Sequence, residues 1–308
     1  MTIFVTFQSL LWSMIIFNSS EKLKHHLDGI HQHQKTVGFA PTMGALHKGH
    51  VSLIAAAKEV CDVVVCSIFV NPTQFNNLID LAKYPKTMDA DVALLESVKC
   101  DILFAPELNE IYSDGELTAA KNNRPDKSWM MGKTVDFGML DKVMEGSVRP
   151  GHFNGVAQVV SKLFRIVSPD KAFFGQKDFQ QLSVIRSMVK QLNLPIEIIA
   201  CPIVRESDGL AMSSRNSRIS PEEREMVPYI WKTLSVMSAI YSYSSIAAIK
   251  QLAESVFKQI GIIQIEYFEI VDSETLQPIK DYKDAESAVA CIAVKLNSVR
   301  LIDNIVLY

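Results

Sequence analysis

From residue 36 onward, short apolar runs alternate with stretches of helical spacing. Residues 37–40 are apolar and end in a Pro-Thr-Met-Gly turn, residues 49–60 repeat their apolar positions at helical intervals, and residues 62–70 form a continuous β-branched run of the kind buried on both faces. These predict one strand–helix–strand unit. The alternation continues with a helix near 88–98, a strand at 102–105, a helix near 155–167, a strand at 171–174, a helix near 179–192 and a strand at 196–204. Five strands joined in this way predict an α/β fold with a doubly wound parallel sheet, whose ligands bind in the loops at the carboxyl ends of the strands.

The rhythm breaks twice. Residues 109–136 are polar and without clear period, which predicts a surface excursion. Beyond 204, a polar loop is followed by helices near 221–241 and 245–260, then by strand-like runs at 265–271, 288–294 and 299–306. Helices followed by strands predict a smaller α+β domain. The expected division is an N-terminal extension at 1–13, a ligand-binding α/β domain at 14–203 and the α+β domain at 204–308.

Composition narrows the class. The 308 residues are 48% hydrophobic and 21% charged, the balance of an ordinary globular chain. The formal charge of -3, from 31 basic and 34 acidic residues without a long basic run, argues against nucleic acid as a partner. Cys61, Cys66, Cys100, Cys201 and Cys291 are scattered, mostly in apolar runs and without zinc-type spacing, so they read as buried small hydrophobes in a reducing compartment. The N-terminal stretch through Ser20 is uncharged, yet it lacks both a basic signal region and an unbroken apolar span of about 20 residues. A cytoplasmic chain with no membrane segment is expected.

Candidate chemistry gathers in the loops after the strands. The densest cluster, Pro41-Thr42-Met43-Gly44-Ala45-Leu46-His47-Lys48-Gly49-His50, places two histidines around a glycine where a helix begins. Free backbone N–H groups and partial positive charge at a helix start suit a polyphosphate, and Gly49 lets it approach closely. The alternative is a pair of solvent-facing turn histidines. Met212-Ser213-Ser214-Arg215-Asn216 follows the last strand of the sheet, with two hydroxyls and a guanidinium that either clamp phosphates or simply form a polar turn. Gly175-Gln176-Lys177-Asp178 puts a lysine at the carboxyl end of a strand, where it neutralises a phosphate, unless Asp178 merely caps the helix that carries Gln180 and Gln181. Phe69-Val70-Asn71-Pro72-Thr73-Gln74-Phe75 offers the Gln74 amide, which both donates and accepts and so fits a substrate bearing a carboxylate and hydroxyls. Arg149-Pro150-Gly151-His152-Phe153-Asn154-Gly155 is open between a structural role and a phosphate contact.

In this order, the blocks PTMGALHKGH, FVNPTQF, YPKT, RPGHFNGV, FFGQKDFQQL and DGLAMSSRN resemble the pantothenate synthetase family from Met14 to Ile305. The His-x-Gly-His element is that of nucleotidyl-transfer folds, and the Ser-Ser-Arg loop is similar to the Lys-Met-Ser-Lys-Ser loop of class I synthetases. The resemblance implies a Rossmann-like N-terminal domain, a C-terminal lid and a homodimer. It implies condensation of pantoate with β-alanine through a pantoyl adenylate, releasing AMP and pyrophosphate. ATP contacts are implied at Met43, Gly44, Ala45, Leu46, His47, Lys48, Gly49, His50, Gly175, Gln176, Lys177, Asp178, Val204, Met212, Ser213, Ser214 and Arg215. Of these, His50 is the implied acid catalyst, with His47, Lys177 and Arg215 beside it. Gln74 and Gln181 match the glutamines that bind the acid substrate and form the site for pantoate and β-alanine. Mg2+ is expected to bridge phosphate oxygens, with Asp89 and Asp91 as candidate helpers. The family begins near Met14, so residues 1–13 read as an extension. Two rivals stand: another His-x-Gly-His adenylyltransferase, which moves AMP onto a phosphate, and a nucleotide-binding module without catalysis. Pantoate-dependent pyrophosphate release separates them.

Overall fold

The computed structural model describes residues 13–75, 81–113, 115–116, 128–297 and 299–307. Six parallel strands form the larger sheet: β1 (Ile15–Phe17), β2 (Val37–Thr42), β3 (Val63–Ile68), β4 (Ile102–Phe104), β5 (Lys171–Gly175) and β6 (Glu197–Cys201), in the order β1-β4-β3-β2-β5-β6. From β2 the chain steps outward to β3 and β4, then crosses back to lay β5 and β6 on the other side of β2. The direction of winding therefore reverses between β2 and β5, and a crevice opens beyond their carboxyl ends.

Helices α1 (Ser20–Gln32), α2 (Lys48–Val60), α3 (Met88–Ser97), α4 (His152–Val167) and α5 (Phe179–Leu192) cover this sheet. Alternate strand residues build its two faces. Phe39, Val65, Phe104 and Phe174 enter one core with Leu23 and Leu27 of α1 and the apolar stripes of α4 and α5. Ala40, Cys66, Leu103 and Phe173 enter the other with Leu53 and Ile54 of α2 and Leu95 of α3. Covering both faces is what makes the strands read as near-continuous apolar runs.

The doubly wound sheet agrees with the sequence reading, with a correction at its edge. β1 is a sixth strand, and α1 lies between it and β2. β1 has 3 residues, with Ile15 and Ile16 exposed at the sheet edge, and α1 turns Leu23, Leu27 and Ile30 to the core from an otherwise polar helix. The strand is too short to carry a period, whereas Leu23, Leu27 and Ile30 do repeat at helical spacing, a signal the sequence reading passed over.

The smaller sheet is antiparallel, β7 (Ile263–Asp272), β8 (Ala288–Leu296) and β9 (Val299–Leu307) in sequence order. It shares a core with α6 (Pro228–Ile240) and α7 (Ile246–Ile260), where Leu234, Met237, Ile249 and Phe257 cluster with Ile270 and Ile292. The single helix expected over 221–241 is broken into a turn at Pro221–Arg224 and α6, because Pro228 takes a first-turn position and cannot continue a helix from behind. Met144 packs with Val271, Leu276, Val289 and Cys291 and so joins the two sheet units.

Part of the expected surface excursion, residues 114 and 117–127, lies outside the described residues, as do residues 1–12 of the expected extension. Within the same stretch, Trp129, Met130 and Val135 are buried in the first core, so this portion is packed rather than on the surface. All five cysteines are free, four of them buried. Among the described residues, no helix is long and apolar enough to cross a membrane.

Candidate active site

The loops after β2, β3, β5 and β6 converge on a cleft of about 220 Å³. β2 ends at Thr42, whose Oγ1 donates to the Ser67 carbonyl at 2.6 Å, and the chain then wraps over the sheet edge. Asp91 of α3 holds that wrap, its carboxylate accepting from Ala45 N at 2.9 Å, Leu46 N at 2.7 Å and Thr87 Oγ1 at 3.2 Å. α2 then opens with reciprocal caps: Gly49 N donates to His47 Nδ1 at 3.1 Å, and His47 N donates to His50 Nδ1 at 3.3 Å. A side chain at position 49 would put its Cβ 2.9 Å from the His47 ring, so glycine there lets the ring keep its capping position.

These caps fix the protonation of both rings. Each Nδ1 accepts, so each ring carries its proton on Nε2. Burial, then the nearby Lys177 charge, lowers His47 from 6.5 to about 4. Burial, then His47 and Lys177, lowers His50 to about 3. At neutral pH both are uncharged, with ring centroids 4.1 Å apart, and both line the cleft as Nε2–H donors.

The loop after β3 carries Gln74, which is buried. It lies so close to α4 that a Cβ at Gly155 would stand 2.5 Å from the Thr73 carbonyl oxygen. Asn71 Nδ2 donates to the Gly155 carbonyl and to Gln74 Oε1, both at 3.1 Å, and Gln74 Nε2 contacts Met43 Sδ. From behind, His152 Nδ1 donates to the Gln74 carbonyl at 2.9 Å, while Arg149 donates to His152 Nε2 at 3.2 Å and to the Gln74 carbonyl at 3.3 Å. Burial and the Arg149 charge lower His152 to about 4, which keeps Nε2 an acceptor.

Lys177 sits in a single turn, Gln176–Asp178, after β5. Asn304 Nδ2 of β9 donates to the Gln176 and Lys177 carbonyls at 2.9 and 2.8 Å. Its neighbour Asp303 is buried and accepts two bonds from Arg205, at 2.6 and 3.0 Å, and that guanidinium lies 3.6 Å over the Trp231 ring. The smaller sheet thus holds both the Lys177 turn and the root of the loop that follows β6. In that loop Met212 N donates to the Val204 carbonyl at 2.9 Å, Ser213 Oγ accepts from Arg215 N at 3.3 Å, and Ser214 Oγ stands 3.4 Å from the Tyr84 hydroxyl.

Residues 15–306 match the family described as pantoate-beta-alanine ligase. The chain belongs to that family. Pantothenate synthetases from Porphyromonas gingivalis and Phocaeicola vulgatus are 48% and 49% identical to it, each alignment covering 95% of this chain and 99% of the relative. The crystal structure of pantothenate synthetase from Thermus thermophilus matches with a TM-score of 0.84 at 38% identity, covering 95% of this chain and 99% of that one. Pantoate-beta-alanine ligase from Francisella tularensis, solved in complex with beta-gamma ATP and β-alanine, matches with a TM-score of 0.75 at 33% identity, covering 95% and 97%. This pantoate–β-alanine ligase family member is therefore an enzyme, a ligase that joins pantoate to β-alanine.

Of the site residues expected from the sequence, the cleft brings together Met43, His47, Gly49, His50, Gln74, Gly175, Lys177, Asp178, Gln181, Val204, Met212, Ser213, Ser214 and Arg215. Gly44, Ala45, Leu46, Lys48 and Gln176 adjoin these in the chain without lining it. Asp89 and Asp91 do not reach it: Asp89 is exposed on α3, and Asp91 is turned to the backbone of the loop. Among the described residues, no group of three His, Cys, Asp or Glu could hold a metal. Sequence reasoning missed the supports: Asp91 as loop anchor, Tyr84, Asp303 and Asn304. Asn304 holds carbonyls 127 and 128 residues away, a distance at which no local spacing gives a signal.

Proposed function

We propose that the cleft activates pantoate with ATP as pantoyl adenylate and then passes the acyl group to β-alanine, releasing AMP and pyrophosphate. The observation that carries this reading is the convergence of two neutral Nε2–H donors with Lys177 and Arg215 on one cleft where the sheet winding reverses. The Francisella tularensis relative, complexed with beta-gamma ATP and β-alanine, supports it.

A carboxylate acylates poorly because its oxygen leaves poorly, and adenylation replaces that oxygen with AMP. One pantoate carboxylate oxygen attacks the α-phosphorus, forming a P–O bond as the bond to the bridging oxygen breaks and charge moves onto pyrophosphate. His47 and His50 donate from Nε2, with His50 holding its proton toward the leaving oxygen, while Lys177 and Arg215 neutralise charge and Ser213 and Ser214 donate. Gln74 and Gln181 orient pantoate. The β-alanine nitrogen then attacks the acyl carbon, the C–N bond forming as the C–O bond to AMP breaks, and its proton passes to solvent.

Mg2+, when it accompanies ATP, would supply further neutralisation of phosphate charge. The oxygens of Asp91 are taken by loop N–H groups and the Thr87 hydroxyl, so no side chain is assigned to the ion. We also place the domain division at 203/204, take the C-terminal unit as a lid, and read the chain as a cytoplasmic homodimer. The test is AMP release with each substrate omitted in turn. AMP should appear only when ATP, pantoate and β-alanine are all present; equal release without pantoate would end this reading.

A further inference from the structure

We infer that Asn304 is a positioning residue for the adenylation step, fixing from the smaller sheet where Lys177 stands in the cleft; this rests on the role given to Lys177 above. Asn304 does not itself line the cleft, whereas Lys177 does, so the amide acts on the reaction only through the lysine.

β9 reads Val299-Arg300-Leu301-Ile302-Asp303-Asn304-Ile305-Val306-Leu307, which sets a buried acid and a buried amide in the middle of an apolar strand. A strand gains little from such a pair for its own sake, since a satisfied buried hydrogen bond contributes little net and an unsatisfied buried group costs more. The partners therefore carry the explanation. Successive side chains of a strand point to opposite faces. Asp303 lies on the face where Leu301 and Leu307 join the helical core, and it holds Arg205 at the root of the loop after β6. Asn304 lies on the other face with Arg300, whose guanidinium reaches Glu145 of the larger unit. There Asn304 Nδ2 donates to the Gln176 carbonyl at 2.9 Å and to the Lys177 carbonyl at 2.8 Å. These carbonyls belong to the two peptides that meet at the Lys177 Cα, so one amide fixes the backbone both before and after it. Local support for the lysine is thin. Gln176–Asp178 is a single tight turn, Gly175 ahead of it has no side chain to cap with, and Asp178 does not cap α5 with its carboxylate. A cation that must meet phosphate oxygens as they gain charge is sensitive to small shifts, and a misplacement of about 1 Å lowers a rate by about 100-fold.

The experiment is a double-mutant cycle on pantoate-dependent ATP–pyrophosphate exchange without β-alanine, with Asn304→Ala and Lys177→Met made singly and together. Lys177→Met should lower the exchange rate by about 100-fold or more. Asn304→Ala should lower kcat by about 10- to 100-fold while the KM for ATP stays within about 3-fold, the pattern of an interaction made in the transition state. In the Lys177→Met background the same change should have less than about a 2-fold effect, because the group it positions is gone. An equal fall in both backgrounds would show that Asn304 serves the fold at large and overturns the inference, as does an Asn304→Ala enzyme with the wild-type rate. If Asn304→Ala does not fold, Asn304→Ser, which also lacks the two-donor amide but keeps a polar group in the pocket, decides by the same cycle and the same outcomes. A Lys177→Met enzyme that exchanges at the wild-type rate removes the role given to Lys177, and the inference with it. That result is read from the lysine variant alone and so is distinct from a failure of the cycle.

Discussion

Replacing Asp91 with asparagine tests whether this carboxylate organises the phosphate loop or holds a metal. Asp91 is 3% exposed, and its two oxygens accept separately from Ala45 N and Leu46 N. In Asp91→Asn the shape is kept, but one oxygen becomes an NH2 that faces a backbone N–H. That removes one charge-assisted hydrogen bond and buries two opposed donors, at a cost of about 1.5–3 kcal/mol. For a protein of this size the midpoint of thermal unfolding should drop by roughly 2–5 °C. Because the loop leads directly into His47, displacement of its cap should also lower kcat/KM for ATP by about 10- to 100-fold. Calorimetry and steady-state kinetics at several Mg2+ concentrations check both effects. An unchanged midpoint, with activity restored by raising Mg2+ alone, would refute the anchoring role and make Asp91 a ligand of the ion.

Gln74→Ala should weaken pantoate saturation by about one to two orders of magnitude, the cost of an unpaired buried amide, with much less change in ATP binding by calorimetry; the reverse pattern would assign the loop after β3 to the nucleotide. His152 falls from 6.5 to about 4 on folding, so the unfolded chain takes up the proton first and stability declines as pH drops from 6.5 toward 4. That contribution is on the order of 3 kcal/mol, and urea unfolding at pH 7.5 and 4.5 should show a shallower pH dependence in His152→Asn than in wild type. Parallel slopes would show that His152 is not held neutral. Arg205→Met leaves Asp303 buried without its partner and should cost about 3–5 kcal/mol of stability, read from denaturant midpoints; a loss below about 1 kcal/mol would mean the pair contributes little to anchoring the loop after β6.

Much of the fold was legible because the central strands are covered on both faces. The run around Val64, Val65 and Cys66 can only be apolar when both sides are packed, and it announces itself. β1 could not be read this way, since an edge strand of 3 residues with exposed Ile15 and Ile16 offers no period. At the site, the two-histidine cluster was legible because it falls where a helix begins: His47 caps the Gly49 N–H, His50 caps the His47 N–H, and Gly49 leaves room for the ring. The same spacing says nothing about charge. Neutrality comes from burial and from Lys177, which is far off in the chain. Asp91 shows the limit from the other side: an acidic residue on a helix near a phosphate loop suggests a metal, and only the bonds to Ala45 N and Leu46 N reveal a structural anchor.

The central claim is that the pantoate carboxylate attacks the α-phosphorus of ATP, and oxygen transfer measures it most directly. Pantoate labelled with 18O in both carboxylate oxygens is converted with unlabelled ATP and β-alanine, and the products are separated and weighed by mass spectrometry. One 18O should appear in the phosphate of AMP and one should stay in the amide carbonyl of pantothenate. AMP without label, with 18O found instead in inorganic phosphate or pyrophosphate, would contradict the adenylate route and the assignment of His47, His50, Lys177 and Arg215 to its transition state.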